Sequence, residues 1–582
     1  MPGFLGEIAA GDLRKNFGKT LKEKLVKGKI EGKFYYLERR TNSKFLNDKI
    51  FKESENFIII TEGVILNRLD LIKKYKQNNF LDTVKEMYLQ EGEQFFNEFR
   101  GSFSGIFYDK RKDKWVIYTS HIGDKQVFYC KLNNSIIFGS EINYLINYMN
   151  NNSYNYNLDI DAAYFLLTYG FMLEDYTLFK EIRKLNAGHY IKIQNNKFEV
   201  KEYYRLNNKP NEKQSEKDII QNIDILFRNA VRAEFEKDIE YNYKHIAGLS
   251  GGLDSRMTTW VAHDLGYVDI LNFTFSQSDY LDEKIAKKIA SDLKHDFIFK
   301  ALDNGEFLKD IEEVVGLSFG GALYYGLAHG KSCLDLINLD NFGLVHTGQL
   351  GDVILGTFFS SLNNQNQQTF KIGDGSYSKK LINRLNNIDL KYDYKNEEIF
   401  KFYGRGFTGA NQGLLPIQEV TEATSPFYYL EFINYCLEIP LKYRYNHYIY
   451  FKWIKERYPN AANYKWEKID AKITEPILNI MGRKIPLKHL PKKFFNKLRG
   501  KLGFGDNSMN TSFHMNPLDY WYNTNKNLKK FMDCYYKDNI KLLNSYSDLK
   551  KDCEKLYTIG NVTEKNQVLT LLSAIKIYFG EK

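Results

Sequence analysis

Hydrophobic positions divide the chain into two rhythms. Up to about residue 204, apolar side chains form short runs separated by turn formers. Examples are Phe57-Ile58-Ile59-Ile60, Gly63-Val64-Ile65-Leu66, Lys114-Trp115-Val116-Ile117-Tyr118, Ser135-Ile136-Ile137-Phe138 and His189-Tyr190-Ile191-Lys192-Ile193. Runs of this length bounded by polar turns predict strands. Helical spacing over Leu81–Gln90 and Ile160–Thr168 interrupts them. The expectation for residues 1–204 is therefore a layered α+β domain.

The polar stretch 205–216, with Asn207, Asn208, Pro210 and Asn211, predicts a linker. Beyond it the rhythm changes. Apolar residues from Ile219 to Phe235 recur at helical spacing. A buried-type strand follows at His245–Leu249, then a helix at Met257–Leu265. A strand at Ile270–Phe275, an amphipathic helix at Asp282–Leu293 and a strand at Asp296–Phe299 continue the alternation. Strands alternating with helices predict a parallel α/β sheet covered on both faces, here over residues 217–475. After about residue 400 the pattern is mostly helical. Residues 476–582 read as a basic, helical extension, in which Arg483–Lys501 carries eight Lys or Arg and no acid.

Composition narrows the class. A chain of 582 residues is too long for one core, so two or three domains are expected. With 43% hydrophobic and 26% charged residues it is neither a disordered nor a membrane chain. The net charge of +10 follows from a lysine-rich composition and does not by itself call for nucleic acid. Cys130, Cys333, Cys436, Cys534 and Cys553 are odd in number and form no C-x-x-C pair. A disulfide framework or zinc site is not expected, and a reducing cytoplasm is the expected location. No signal-peptide layout and no apolar run of bilayer length is present.

Chemistry concentrates after the strand at His245–Leu249. Ser250-Gly251-Gly252-Leu253-Asp254-Ser255 lies between that strand and the next helix. Two glycines let backbone approach a phosphate, and a helix N-terminus supplies free N–H groups. Ser250 and Ser255 can donate to phosphate oxygens. Asp254 would repel a phosphate unless a cation lay between them, so it reads as a Mg²⁺ ligand. The loop lacks the G-x-x-x-x-G-K-[S/T] pattern of a Walker loop. A second strand-to-loop segment, Leu344 to Asp352, ends in an acid 98 positions after Asp254.

The first loop resembles the pyrophosphate loop of the ATP-pyrophosphatase superfamily. The second, Thr347-Gly348-Gln349-Leu350-Gly351-Asp352, resembles the S-G-E-G-S-D-E segment of the asparagine synthetase family, with Gln349 in place of its first acid. Glu422-Ala423-Thr424-Ser425-Pro426-Phe427 resembles that family's E-x-R-x-P-F-L-D stretch, with Thr424 replacing the Arg and Tyr429 the final Asp. Tyr450-Phe451-Lys452-Trp453-Ile454-Lys455 resembles its K-x-x-L-R helix. The resemblance implies ATP and Mg²⁺ as cofactors and cleavage of ATP to AMP and pyrophosphate. It also implies a nucleotide site from Leu249, Ser250, Gly251, Gly252, Leu253, Asp254, Ser255, Phe275, Thr347 and Gly348. On that pattern Asp254 and Asp352 are the metal ligands, and Lys452 and Gln349 are the catalytic candidates.

The amino-terminal part is similar to the same family through Gly101–Asp109, Phe138-Gly139-Ser140-Glu141-Ile142, and Thr177–Ile182 with Gly188-His189-Tyr190. The implied fold is an α/β/β/α sandwich of the N-terminal-nucleophile (Ntn) hydrolase kind, followed by the parallel-sheet domain and a helical C-terminal part. Working members carry a cysteine nucleophile after the initiator Met and an Asn-Gly oxyanion pair. Here those places hold Pro2 and Glu62-Gly63. A carboxylate opposes an oxyanion, so no glutaminase activity is expected. β-Lactam synthetases and lasso-peptide cyclases also lack that Cys. Gln567–Tyr578 resembles the terminal helix of members linked to surface-polysaccharide gene clusters.

The expected function is an ATP-dependent amide-forming ligase or amidotransferase. It would act on small-molecule carboxylate and amine or ammonia substrates, without nucleic acid or membrane span, and a homodimer is admissible. The alternatives are a member that amidates a sugar acid or cyclises its substrate and, from another class, a tRNA-modifying enzyme with the same loop. The loss of the family's acid at Gln349 puts aspartate itself in doubt.

Overall fold

The computed structural model describes residues 2–18, 25–362, 370–480, 483–486 and 511–580, and for 477–486 the backbone only. The amino-terminal part is built on two six-stranded sheets. One runs in the order Arg183–Lys184, Phe128–Lys131, Ser135–Gly139, Gly3–Ala9, Tyr35–Thr41, Val26–Glu31. The other runs Lys197–Glu202, His189–Gln194, Lys114–Thr119, Gly101–Asp109, Phe57–Ile65, Phe51–Glu53. Phe4, Leu37 and Phe138 of the first meet Ile58, Ile60, Ile106 and Ile117 of the second in one apolar layer. The second sheet's other face, with Phe57, Ile59, Phe107 and Val116, is covered by Val84 and Met87 of helix Phe80–Glu91. Helix Ile142–Asn151 packs against the first sheet. These layers make the α/β/β/α sandwich.

Burial on both faces explains the unbroken apolar runs read from the sequence. The runs at 57–60 and 63–66 prove to be one strand, Phe57–Ile65, because Glu62 and Gly63 stay in the ladder opposite Ser104 and Phe103. Gly63 has φ +97°, and a Cβ there would lie 2.1 Å from the Ser102 carbonyl oxygen, so only glycine serves.

The second part holds a five-stranded parallel sheet. Its strands are β1 (Lys244–Gly248), β2 (Ile270–Ser276), β3 (Asp296–Ala301), β4 (Phe342–His346) and β5 (Ala423–Thr424). They lie in the order β3-β2-β1-β4-β5, all parallel. The chain winds outward in one direction through β2 and β3, then returns to the other side of β1 as β4. The crevice at the carboxyl ends of β1 and β4 is the switch point where such sheets bind ligands. Around the sheet lie α1 (Glu216–Glu240), α2 (Leu253–Asp264) and α3 (Leu281–Leu293). α2 begins four residues before the apolar period announced it, so Leu253, Asp254 and Ser255 form its first turn.

Past residue 400 the fold is mainly helical and includes a π-helix at Phe402–Gly409, α4 (Tyr448–Arg457) and α5 (Val562–Tyr578). α5 is almost wholly buried and packs against helices Ile160–Tyr169 and Ile311–Ser318. The Tyr156 hydroxyl donates to the Tyr578 carbonyl at 3.0 Å, and Gln567 donates to the Leu166 carbonyl at 3.3 Å. Apart from the backbone of Arg483–Pro486, the basic run to Lys501 lies outside the described residues.

Candidate active site

Two loops meet at the switch point. The loop after β1 is held by its own hydroxyls. The Ser250 N–H donates to Ser255 Oγ at 2.9 Å, the Gly252 N–H donates to Ser250 Oγ at 3.1 Å, and the two hydroxyls lie 2.9 Å apart. Gly252 caps α2 without a side-chain bond, which leaves first-turn N–H groups for an anion. Asp282, in the first turn of α3, accepts from the Gly251 N–H at 2.7 Å, and its burial pushes its pKa up to about 6.

The loop after β4 comes down onto the start of α2. A Cβ on Gly348 would lie 2.3 Å from the Ser255 nitrogen, and one on Gly351 2.7 Å from Cγ of Asp254. Both contacts require glycine. They carry the backbone of Asp352 against Asp254, whose Oδ2 accepts the Asp352 N–H at 3.0 Å. The Tyr450 hydroxyl donates to Asp254 Oδ1 at 2.9 Å. Burial first and then the facing Asp352 push the Asp254 pKa upward. For Asp352 burial acts in the same direction, but Lys468, His447 and Arg405 outweigh it and hold the group low. Lys468 Nζ lies 3.0 Å from Asp352 Oδ2.

Lys468 had no motif to announce it. Its place is set by Arg256, whose fully buried guanidinium donates to the carbonyls of Gly251, Ala461 and Lys465 at 3.0, 3.2 and 2.5 Å. One side chain thus staples the segment 461–468 to the phosphate-type loop. The same staple brings in Glu467, whose N–H approaches the Gly251 carbonyl at 3.4 Å. Burial and then Asp282 push Glu467 up to about 7. The sequence carries no local signal for this staple, because the carbonyls that Arg256 meets lie some 200 positions away.

Four of the expected side chains do not face the Asp254–Asp352 pair. Lys452 does not join the site: it pairs with Glu216 on the outer side of α4 and is over a third exposed. At 100° per residue, Tyr450 and Lys452 point to nearly opposite sides of that helix, and Tyr450 is the one on Asp254. Leu249 packs with Leu281, Ile285 and Ile289 in the core, and Leu253 is equally buried, so neither side chain is open to a ligand. Gln349 turns aside, donating through Nε2 to the Ala410 carbonyl at 2.7 Å. Thr347 is tied to β5, its N–H and hydroxyl both donating to the Thr424 carbonyl at 2.9 and 2.8 Å. Phe275, on β2, is half-buried with its ring 4.9 Å from that of His329.

The second expected site, in the sandwich, is filled. Glu62 accepts from the Thr41 hydroxyl at 2.6 Å and lies 3.4 Å from Lys49 Nζ. Lys49 continues to Glu422 at 3.1 Å, and Glu422 to Lys125 at 2.6 Å, all four side chains being buried. The chain of charges crosses from the sandwich to the edge of the parallel sheet. Pro2 is buried.

Residues 47–204 match the family model described as a glutamine amidotransferase domain. A Methanocaldococcus jannaschii protein designated a candidate glutamine-hydrolysing asparagine synthetase 2 is 25% identical over 365 residues, 59% of this chain and 69% of its own. Glutamine-hydrolysing asparagine synthetase 1 of Bacillus subtilis is 24% identical over 275 residues, 45% of this chain and 42% of its own. The chain is thus similar, at 24–25% identity, to proteins designated asparagine synthetases. Asparagine synthetase 2 of Bacillus subtilis matches at 26% identity over 44% of this chain and 36% of its own length. The chain thus spans less than half the length of these two Bacillus relatives.

Proposed function

We propose that the protein is an ATP-dependent, amide-forming ligase of the asparagine synthetase type. What its relatives support is the coarser statement, an ATP-dependent amidotransferase. The observation that carries the finer reading is the convergence of Asp254 and Asp352 at the head of an uncapped helix. Two carboxylates held together, one pushed up by burial and then by the other, fit a divalent cation, as does the oxygen-only donor set. Asp254 and Asp352 would hold Mg²⁺, which when bound supplies charge neutralisation at the ATP phosphates.

The chain's own residues do the rest. Loop Ser250–Ser255 and the first turn of α2 bind the pyrophosphate portion of ATP. A substrate carboxylate attacks the α-phosphorus and pyrophosphate leaves, giving an acyl adenylate. Lys468, in the role first expected of Lys452, stabilises the negative charge that develops there. Ammonia or an amine then attacks the acyl carbon and AMP leaves. The sandwich is expected not to hydrolyse glutamine, because Glu62 with its partners fills the oxyanion place. Nitrogen reaches the site from elsewhere.

Acid-dependent ATP–pyrophosphate exchange tests this reading. Exchange is expected with a subset of carboxylic acids and is expected to vanish in Asp254→Asn and Asp352→Asn. Exchange driven by tRNA and by no acid, or wild-type rates in both variants, overturns it. Release of glutamate from glutamine overturns the account of the sandwich.

A further inference from the structure

Four polar side chains converge where the sandwich meets the second part of the chain. They line a narrow cavity of about 20 Å³. Lys184, on strand Arg183–Lys184, and Gln126 come from the sandwich. Ser318 ends helix Ile311–Ser318, and Gln412 lies on the short helix Ala410–Leu414. Lys184 and Gln126 are each 8% exposed, Ser318 4% and Gln412 5%. Ser318 Oγ has no hydrogen-bond partner. Nor, among the described residues, has the side chain of Lys184, Gln126 or Gln412 a hydrogen bond or ion pair. Buried polar groups are rarely left so singly, and here four face one space.

Lys184 sets the sign of what fits there. Burial lowers its pKa to about 8, and Asp175 works against burial. Asp175 is itself taken up by Lys391 at 2.8 Å. No acid lines the cavity. Its two threonines are spent on backbone: the Thr177 hydroxyl donates to the Ile182 carbonyl at 2.7 Å and the Thr408 hydroxyl to the Met172 carbonyl at 2.5 Å. The remaining wall is apolar or aromatic.

A buried ammonium without a counter-charge is costly. The ammonium offers three N–H donors, each amide two and the hydroxyl one. A water meets some of these donors and leaves the charge uncompensated. Size restricts the ligand further. Roughly 10–15 Å³ already holds one water, so this cavity admits a particle of that order and no amino acid, sugar or nucleotide. A monatomic anion satisfies both limits. We propose that Lys184, Gln126, Ser318 and Gln412 form a binding site for a halide ion, which ties the sandwich to the second part of the chain. The site shares no lining residue with the loop Ser250–Ser255 or with Asp352, so it does not depend on the ligase reading.

Thermal unfolding of the full chain tests it, with potassium chloride or bromide replacing potassium gluconate at constant total salt. Gluconate is too large for the cavity. Halide is expected to raise the wild-type Tm in a saturable way, as binding to the folded state does. In Ser318→Ala the apparent Kd is expected to rise roughly 10- to 100-fold, the usual worth of a hydrogen bond to a charged group. In Lys184→Met the saturable part is expected to vanish, while in gluconate alone its Tm is no lower than that of the wild type, because an uncompensated charge has gone. Crystals grown in bromide are expected to show an anomalous peak against Lys184. A wild type without a saturable halide response overturns the proposal, as does a response unchanged in both variants. If Lys184→Met does not fold, Ser318→Ala and the bromide peak decide. Bromide absent from the cavity assigns it to water and removes the site.

Discussion

At the scale of single residues, what separates Lys468 from Lys452 is a partner. Lys468 faces Asp352, whereas Lys452 faces Glu216 in solvent. Lys468→Ala is expected to slow acid-dependent exchange roughly 10²- to 10³-fold, as loss of one preorganised charge does. Lys452→Ala is expected to leave the rate near wild type and to change stability by about 0–1 kcal/mol. Equal loss in both variants, measured side by side, counts against this assignment.

His346 makes a different residue-scale prediction. It ends β4, one position before Thr347, and its Nε2 and Nδ1 lie 2.8 Å from Asp238 and 3.3 Å from Glu234. Burial opposes its charge, but Asp238 and Glu234 outweigh burial and push its pKa up to about 9. The folded pKa is above the ordinary 6.5. This contribution to stability is therefore full below pH 6.5 and is lost as pH rises through about 9. The gap in Tm between wild type and His346→Gln is expected to narrow from pH 6 to pH 10. A constant gap contradicts it.

At the scale of elements, the site depends on two helix starts pressed together without side chains between them. The loop after β4 reaches Asp254 only because Gly348 and Gly351 lack Cβ atoms. Gly348→Ala is expected to destabilise by about 1–3 kcal/mol, the usual effect of overpacking. It is also expected to abolish exchange by moving Asp352 off Asp254. Full exchange activity in a folded Gly348→Ala protein is the outcome that contradicts this. Much of the parallel-sheet rhythm was legible, since β1, β2 and β3 carry their own apolar runs and α3 its own period. The start of α2 was not. Its first turn is fixed by the loop and by Arg256 bonding to carbonyls some 200 positions away, which leaves no local period.

At the scale of the whole molecule, the sandwich and the sheet are joined by Glu62, Lys49, Glu422 and Lys125. Removing one member strands a buried charge. Lys49→Met is expected to cost about 3–5 kcal/mol, read from urea unfolding. Adding Glu62→Gln and Glu422→Gln is expected to recover part of it. A neutral Lys49→Met separates the two parts energetically and removes the idea that this network binds them. α5 adds a second tie, because the last helix of the chain packs on the sandwich helix Ile160–Tyr169.

The sequence by itself determined the strand rhythm and the place of the loop Ser250–Ser255. Those follow from side-chain periodicity and from motifs whose chemistry is local. Tertiary structure decided which lysine meets the metal-type pair, that Leu249 and Leu253 belong to the core, and that Glu62 is matched by Lys49 rather than left as a bare loss. It also decided that Lys184 faces a cavity. Each of these is a meeting between residues distant along the chain, 13 positions for Glu62 with Lys49 and 116 for Lys468 with Asp352, and only the folded chain fixes which face of an element such a partner finds.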